Sequence, residues 1–553
     1  MSTVTVADAP PRKKKSLIGA SLVFSAWTLV SRLMGFARDI VLTSALGASA
    51  TIAADAFYTA LSFPNLFRRI FAEGAFAAAF VPAYARKLEG EGADKADALA
   101  SDALATIAAA TIILTVAAQL AMPWLMHVIN PGYASDPAKF KLAILLTTIT
   151  MPYLPCMAIV ALLSGVLNAR HRFALSAGVA AVLNIVMLIA VLPQHSPEGA
   201  AKAASVGVLV AGVIQATMLF VGARRTGAKI RVRLPRLTPE IKALIGLAIP
   251  GAIAASATQI NIFVSQALAS MGEAGARAWL NVADRLYQLP LGLVGVAVGV
   301  ALLPRLAMAV QARDHDGARD AMDEALTFTL ALTLPAAAAL FAMPVFLIDG
   351  LFTRGAFHAY DAQQTALALL HYGWGTPAFV LVRILTPAFF ARLDTKAPMR
   401  FALISVVANI VLGVGLFQVI GFSGIAAATS AASWLNVTMM WMTLRKRGDY
   451  TPTKQAVSRW ARIALSAGIM GALLFAAQTF RPMVEAPFAG MSLDLFGHHV
   501  LGPKEYAVAA VALAGVALYA LLLPLTGAIR PADLKRALKR DPKTKAPAGA
   551  DLL

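Results

Sequence analysis

Six arginines lie within long apolar segments of this sequence, where a positive charge is costly. They are Arg32, Arg38, Arg68, Arg69, Arg285 and Arg383. An arginine at the centre of a membrane-spanning helix costs about 2.5–3.5 kcal/mol on the scale from insertion experiments. A guanidinium group binds two phosphate or carboxylate oxygens at once and keeps its charge in a low-dielectric site. The six arginines therefore predict a hydrated cavity that binds an anion, best a phosphate or diphosphate, although Arg38 and Arg383 could instead extend to the membrane surface.

Carboxylates accompany these arginines, since Asp39, Glu73 and Asp284 lie in or near the same segments. In a helix, Arg69 and Glu73 share a face because they are four residues apart, whereas Arg68 lies about 140° around the axis from Glu73. A buried pair of opposite charges lowers the desolvation cost of both. We therefore predict that Arg69 is structural and that Arg68 contacts the substrate.

The elements that must hold these side chains are membrane-spanning helices. Of the 553 residues, 59% are hydrophobic and only 14% are charged, and the mean hydropathy is +0.70. Segments of about 20 apolar residues recur throughout the chain, long enough to cross a bilayer. The sequence predicts an all-α polytopic membrane protein with about fourteen spans, at residues 18–45, 54–84, 99–126, 142–168, 174–193, 203–222, 243–270, 279–304, 325–348, 363–391, 401–420, 423–444, 460–480 and 505–529.

The basic residues outside the spans set the orientation. The predicted cytoplasmic segments hold 35 of the 48 lysines and arginines, and the predicted periplasmic loops hold seven. This bias predicts that both termini are cytoplasmic. It also explains the net charge of +19 without nucleic-acid binding, and the basic segments are suited to attract anionic lipid headgroups.

The chain repeats itself. Residues 80–82 (FVP) recur as 302–304 (LLP) at an offset of 222, and 184–186 (NIV) recur as 409–411 at an offset of 225. Two six-span halves of this kind enter the membrane in the same direction, so an axis along the membrane normal should relate them, with the substrate site between them near the midplane. The predicted organisation is a cytoplasmic tail (1–17), an N-terminal half (18–222), a basic linker (223–242), a C-terminal half (243–444), two extra helices (445–529) and a basic cytoplasmic tail (530–553).

Catalytic and metal-binding motifs are not recognisable. Cys156 is the single cysteine, and the few histidines are scattered, so we expect neither a disulfide framework nor a bound metal. A glycine run at Gly292, Gly295 and Gly299 lies inside an apolar span, which favours close helix packing over nucleotide binding. We expect a protein that is not an enzyme and has no cofactor.

Three segments carry a resemblance to a known family. They are residues 31–39 (SRLMGFARD), residues 64–76 (PNLFRRIFAEGAF) and residues 283–286 (ADRL) followed by Pro290. With the fourteen-span layout, they resemble the MurJ (MviN) family of lipid II flippases over nearly the whole chain. The resemblance implies the fold of the multidrug/oligosaccharidyl-lipid/polysaccharide exporter superfamily. It also implies transport of undecaprenyl-diphosphate-linked disaccharide-pentapeptide to the outer leaflet of the bacterial inner membrane for peptidoglycan synthesis.

The resemblance also implies roles for individual residues. The expected substrate-binding set is Arg32, Arg38, Asp39, Arg68 and Arg285. The expected structural or cavity set is Arg69, Glu73, Asp55, Asp284 and Gly35. Lipid II and membrane lipids are the expected partners, the cell-wall synthesis machinery is a candidate partner, and spans 13 and 14 are expected to shape a groove for the lipid tail. Some relatives are thought to bind sodium through acidic residues around spans 7 and 11, which contain no Asp or Glu here, so sodium coupling is doubtful.

Three alternatives remain open at this point. A flippase for another polyprenyl-diphosphate-linked glycan would use the same anion site. A drug/cation antiporter of the same superfamily should carry acidic residues in its cavity, where arginine dominates here. A membrane glycosyltransferase or phosphatase should carry a metal-binding carboxylate cluster or catalytic histidines, which the sequence does not reveal.

Overall fold

Helices make up almost all of the structure. The computed structural model describes residues 17–67, 76–495 and 498–528. Within these ranges the chain forms nineteen α-helices, two short 3-10 helices and one antiparallel hairpin of strands β1 (Leu493–Leu495) and β2 (His498–Leu501). The predicted helical class is confirmed, and the small hairpin in the last connection is an addition to it.

The helices follow one another with short connections. The first nine are α1 (Leu17–Leu46), α2 (Ala53–Phe67), α3 (Phe76–Gly90), α4 (Ala93–Leu120), α5 (Met122–Ile129), α6 (Pro137–Thr150), α7 (Tyr153–Ala169), α8 (Phe173–Val191) and α9 (Pro197–Arg225). The others are α10 (Pro239–Met271), α11 (Ala276–Gln311), α12 (His315–Ala342), α13 (Pro344–Phe352), α14 (Ala359–Phe390), α15 (Lys396–Ile420), α16 (Ser423–Lys446), α17 (Lys454–Thr479), α18 (Arg481–Glu485) and α19 (Pro503–Leu525). The 3-10 helices are Pro131–Ser135 and Ala486–Phe488.

Polar caps explain why several helices begin before the apolar windows that predicted them. Asp136, Ser196, Asp314 and Thr453 each accept a hydrogen bond from a backbone N–H in the first turn of α6, α9, α12 and α17. A side-chain oxygen at this position satisfies a donor that has no partner within the helix. The helices therefore start among polar residues, five to ten residues ahead of the predicted spans.

The predicted spans coincide with these helices. Nine helical segments in the described part of the chain are long and apolar enough to cross a membrane, counting α6 and α7 as one. The remaining five predicted spans coincide with α1, with α2 and α3, and with α10, α11 and α16. The chain is a multi-pass membrane protein, and its count of fourteen spans is consistent with the helices.

Packing divides the described residues into two units. The first contains residues up to Gly47 and from Thr51 to Ile260, and the second contains residues 48–50 and those from Asn261 onward. In the first unit, an apolar core that includes Phe80, Leu163 and Leu219 joins α3, α4, α7 and α9. The division falls within α10, and the boundary at residue 243 that the sequence suggests remains a prediction.

The second unit has two main apolar cores. One joins α11, α12, α14 and α16, and the other joins α12, α13, α17 and α19. Apolar side chains such as Ile113 and Leu513 are about 70% exposed. In a bilayer such side chains can face lipid, so close packing and hydrogen bonds must hold the helices together.

The internal repeat recurs in the backbone of both units. The turn after α7 places His171 at φ 58°, and the turn after α14 places Leu393, 222 residues later, at φ 60°. The next residue closes each turn, since Arg172 N–H donates to Leu167 O at 2.8 Å and Asp394 N–H donates to Phe389 O at 3.0 Å. Non-glycine residues rarely adopt positive φ, so the shared geometry is a specific sign of repetition.

The same offset relates the contacts that fasten the segment after the sixth span of each half. In the first unit, Arg231 N–H donates to Ser101 Oγ at 3.0 Å. In the second, Thr453 N–H donates to Asp323 Oδ2 at 3.1 Å. Residues 101 and 323, and residues 231 and 453, are each 222 apart. Each half therefore ends by attaching its exit segment to the start of its own α4 or α12.

A buried carboxylate strengthens this attachment in the first unit. Asp97 is 1% exposed and accepts hydrogen bonds from Arg170 Nη2 at 2.6 Å, Tyr84 Oη at 2.9 Å and Lys229 N–H at 2.7 Å. These partners lie on α3, on the turn after α7 and on the exit segment. One side chain thus joins three parts of the unit.

Helices α17–α19 are fixed to the second unit by polar contacts as well as by their apolar core. Gln478 Oε1 accepts hydrogen bonds from Val345 N–H at 3.1 Å and Phe346 N–H at 3.3 Å, which caps the start of α13. Arg354 pairs with Glu505 at 3.1 Å. The two extra helices predicted after residue 445 are therefore packed against α12 and α13.

Replacing Asp97 with alanine should destabilise the protein. Arg170 would be left largely buried without its carboxylate, and breaking a buried ion pair on one side typically costs about 3–5 kcal/mol. Thermal unfolding of the purified protein in detergent measures the loss. Asp94→Ala is the matched control, because Asp94 pairs with Lys229 at the exposed surface and should leave the melting temperature unchanged. Equal melting temperatures for the two variants would contradict this assignment.

Candidate functional site

The best-defined charged cluster in α1 centres on Arg38, which is 8% exposed. Its Nη2 and Nε donate to Asp39 Oδ1 at 2.6 and 3.1 Å, and its Nη1 donates to Asn184 Oδ1 at 2.9 Å. Asn184 Nδ2 in turn donates to Ser31 O at 3.0 Å. The guanidinium is neutralised within its own helix and tied to α8, so a substrate phosphate would have to compete with these bonds.

Arg32 lies in a different environment on the same helix. Its side chain is exposed, and the structure shows no ion pair between Arg32 and any described residue. Seven residues separate Arg32 from Asp39, which places both on about the same helix face. Gly35 lies between them, where an added Cβ would be 3.6 Å from Asn184 Nδ2. Gly35 therefore packs against the amide that holds Arg38.

Asp55 forms a second buried pair in the first unit. Its Oδ2 accepts a hydrogen bond from Lys139 Nζ at 2.7 Å, and both side chains are less than 10% exposed. The ammonium of Lys139 also lies 5.1 Å from the centre of the Tyr133 ring, and Tyr133 Oη contacts Thr59 Oγ1 at 3.0 Å. The predicted structural role of Asp55 matches this geometry, which joins α2 to α6.

In the second unit, Asp284 and Arg285 lie on α11 and are half-buried. Gln288 donates a hydrogen bond to Asp284. The charges of Asp284 and Arg383 both act on the Tyr287 hydroxyl, and the Tyr287 ring packs 4.7 Å from the ring of Tyr372 on α14. The exposed Arg383 thus belongs to the same α11–α14 region as Asp284.

The remaining sequence-predicted residues, Arg68, Arg69 and Glu73, lie outside the described residues, and their roles remain predictions. A metal site is not found in residues 17–67, 76–495 and 498–528, where no three His, Cys, Asp or Glu side chains are grouped to hold an ion. The described arginines instead offer hydrogen-bond donors suited to an anionic oxygen.

Two participants were missed by sequence reasoning. Lys139 precedes the apolar window of its span and was counted with the loops. Asn184 marked the repeat but received no role, because an amide in an apolar segment does not stand out as a charge does. Its repeat counterpart Asn409 is also 6% exposed and donates to Asn261 Oδ1 at 2.7 Å. The recurring asparagine was the available signal for a contact between the fifth helix and the first helix of each half.

The Asn409–Asn261 contact joins α15 to α10, the helices that correspond to spans 11 and 7. These are the spans in which acidic sodium ligands were sought and not found. A neutral amide pair connects them here.

Comparisons with known proteins match this chain over most of its length. The family model described as "Lipid II flippase MurJ" matches residues 42–489. The probable lipid II flippase MurJ of Rhizobium tropici is 39% identical over 539 residues, which cover 96% of this chain and 98% of that protein. The lipid II flippase MurJ of Burkholderia cenocepacia is 33% identical over 466 residues, which cover 83% and 90%.

Solved structures share the fold. A structure of "Lipid II flippase MurJ, inward closed conformation" has a TM-score of 0.72 at 22% identity and covers 94% of this chain and 100% of its own. An inward-facing MATE family transporter of the MOP superfamily has a TM-score of 0.62 at 15% identity, with coverages of 77% and 98%. At these identities the likeness concerns the fold alone.

Replacing Asn184 with alanine should destabilise the protein more than replacing Asn409. Asn184→Ala removes a hydrogen bond to a charged group, which contributes about 1.5–3 kcal/mol, whereas Asn409→Ala removes a neutral one that contributes about 0.5–1.5 kcal/mol. Thermal unfolding of the two purified variants measures the difference. A larger loss for Asn409→Ala would show that Asn184 does not support the buried Arg38.

Proposed function

This chain belongs to the MurJ family of lipid II flippases, and we propose that it moves lipid II from the inner to the outer leaflet by alternating access through an arginine-lined cavity. The observation that carries the proposal is the match of the family model to residues 42–489. A relative aligned over 96% of the chain supports it. Lipid II is undecaprenyl-diphosphate-linked disaccharide-pentapeptide, and its supply to the outer leaflet serves peptidoglycan synthesis.

The diphosphate is the part of the substrate that most needs a protein path, because moving charge out of water into hydrocarbon is costly. We assign Arg32 and Arg285 to bind it. Exposure of the Arg32 side chain supports this role, since its guanidinium can form a bidentate contact with phosphate oxygens. Arg68 keeps its proposed substrate role on the sequence argument.

Arg38 and Asp39 stay in the proposed binding set with a different expected behaviour. Arg38 already makes three hydrogen bonds within the protein. Binding to a phosphate would require at least one of them to be exchanged. We therefore propose that Arg38 contacts the diphosphate at a step where its bond to Asp39 or Asn184 opens.

The rest of the account follows from transport without chemistry. We propose that the protein is not an enzyme, that it resides in the bacterial inner membrane and that both termini are cytoplasmic, as the basic loops predict. Enzymes that consume lipid II at the outer leaflet are the candidate protein partners. Family membership favours lipid II over another polyprenyl-linked glycan or a cationic drug.

Arg32→Ala and Arg285→Ala should each lower transport about 10- to 150-fold, because a hydrogen bond to a charged group contributes roughly 1.5–3 kcal/mol. Lysine at either position should restore part of the activity, since it keeps the charge and loses the planar fork. The measurement is growth and inner-leaflet lipid II after depletion of the native protein in its host, with each variant supplied in trans and its membrane level checked.

Arg305→Ala is the matched control. Arg305 lies on the same helix as Arg285, but it forms an exposed pair with Glu324 and should support normal growth. Normal growth of both cavity variants at normal protein levels would refute the arginine-based anion site. Failure of depletion to raise inner-leaflet lipid II would refute the proposed substrate.

A further inference from the structure

A pocket of about 290 Å³ opens in the second unit where α14 ends, α15 begins and α16 ends. It lies in a segment that the sequence places on the cytoplasmic side, about 9–17 residues beyond Arg383. Its lining combines three cationic side chains, one carboxylate and two apolar side chains: Lys396, Arg400, Arg447, Asp394, Phe401 and Ala397. No role in substrate transport has been assigned to any of them.

The single carboxylate of the pocket is already engaged. Asp394 Oδ1 accepts hydrogen bonds from Ala397 N–H at 3.0 Å and Lys396 N–H at 3.1 Å, and Oδ2 accepts one from Arg447 Nη1 at 2.8 Å. The bond from Ala397 N–H, followed by that from Arg447, holds the pKa of Asp394 below its usual value. It therefore stays ionised while capping α15 and fixing Arg447.

Two cations remain for a ligand. The side chains of Lys396 and Arg400 are exposed, and neither forms an ion pair with another described residue. They are four residues apart near the start of α15 and so share one helix face. Together with Arg447 they give the pocket an excess of positive charge.

The wall of the pocket is apolar. The Phe401 ring packs edge-on against Phe389, with ring centres 6.1 Å apart, and the guanidinium of Arg447 lies 5.9 Å from the centre of the Phe389 ring. On the adjoining turn, Leu393 is 91% exposed and held at φ 60°. A fully exposed leucine beside free cations is suited to the boundary between headgroups and acyl chains.

The internal repeat shows that these charges are not needed to build the turn. The turn after α7 has the same backbone geometry, with Ala174 and Gly178 at the positions 222 residues before Lys396 and Arg400. An added Cβ at Gly178 would meet nothing within 4 Å, so space does not exclude a longer side chain there. The cations of the second turn thus require an explanation other than folding.

We propose that this pocket binds the phosphate of an anionic glycerophospholipid of the cytoplasmic leaflet. Lys396 and Arg400 contact the phosphate oxygens, Arg447 is held ready by Asp394, and the glycerol and the upper acyl chain lie against Phe401 and Leu393. A soluble phosphate would use the cations but would gain nothing from the apolar wall. The site is separate from the proposed transport arginines, so its failure would leave the transport account unchanged.

The test measures phospholipid binding to the full-length protein in a neutral detergent. Phosphatidylglycerol, phosphatidylcholine and glycerol 3-phosphate are titrated separately, and bound lipid is counted by native mass spectrometry. Lys396→Ala combined with Arg400→Ala should weaken phosphatidylglycerol binding about 25-fold, because each basic residue near an anionic lipid surface contributes roughly a fivefold factor. Neither side chain makes a side-chain contact that the fold depends on, so the variant should unfold at the wild-type temperature.

Arg224→Ala combined with Arg225→Ala is the matched control. It removes the same charge from the exposed end of α9 and should keep wild-type phosphatidylglycerol binding. The proposal is overturned if both double variants lose binding equally, since net charge alone would then explain it, or if neither loses it. Equal binding of glycerol 3-phosphate and phosphatidylglycerol would also overturn it, in favour of a soluble anion.

Discussion

The cost of a bare charge in hydrocarbon is the constraint on which the rest of this structure depends. A buried ion is tolerated only when an opposite charge and hydrogen bonds replace the water that it loses. Arg38 meets that requirement through Asp39 and Asn184, and Asp55 meets it through Lys139. Arg32 does not, because its side chain is exposed and has no ion pair among the described residues. The constraint thus separates ionisable residues that hold helices together from those available to an anionic substrate.

The same constraint shapes both copies of the repeat. Each half uses a conserved-in-position asparagine to join its fifth helix to its first, but only Asn184 supports an arginine, whereas Asn409 contacts a second amide. Each half also fastens its exit segment at residues 222 apart. The duplicated scaffold therefore carries different chemistry in its two copies, with a buried cation in the first and a neutral bridge in the second. The cationic pocket at Lys396 and Arg400 is a further difference of this kind.

The sequence predicted those features that depend on composition and spacing. Apolar length placed every span on a helix, and the recurring asparagine and proline motifs revealed the repeat. Helix starts were predicted too late, because capping residues such as Asp136 are polar and fall outside an apolar window. The partner of Asp55 lies 84 residues away, and one sequence contains no signal for such a contact. The engagement of Arg38 was missed for the same reason, since Asn184 is 146 residues away and uncharged.

The most direct measurement of the account is the movement of lipid II by the purified protein in proteoliposomes. Fluorescent lipid II is placed in both leaflets, and a membrane-impermeant quencher reports the fraction that reaches the outer surface. The account predicts that protein-containing vesicles expose lipid II from the inner leaflet, that the lipid is recovered chemically unchanged, and that phosphatidylcholine with the same label does not move. Vesicles that show no protein-dependent movement of lipid II, or that convert it to another compound, would contradict it.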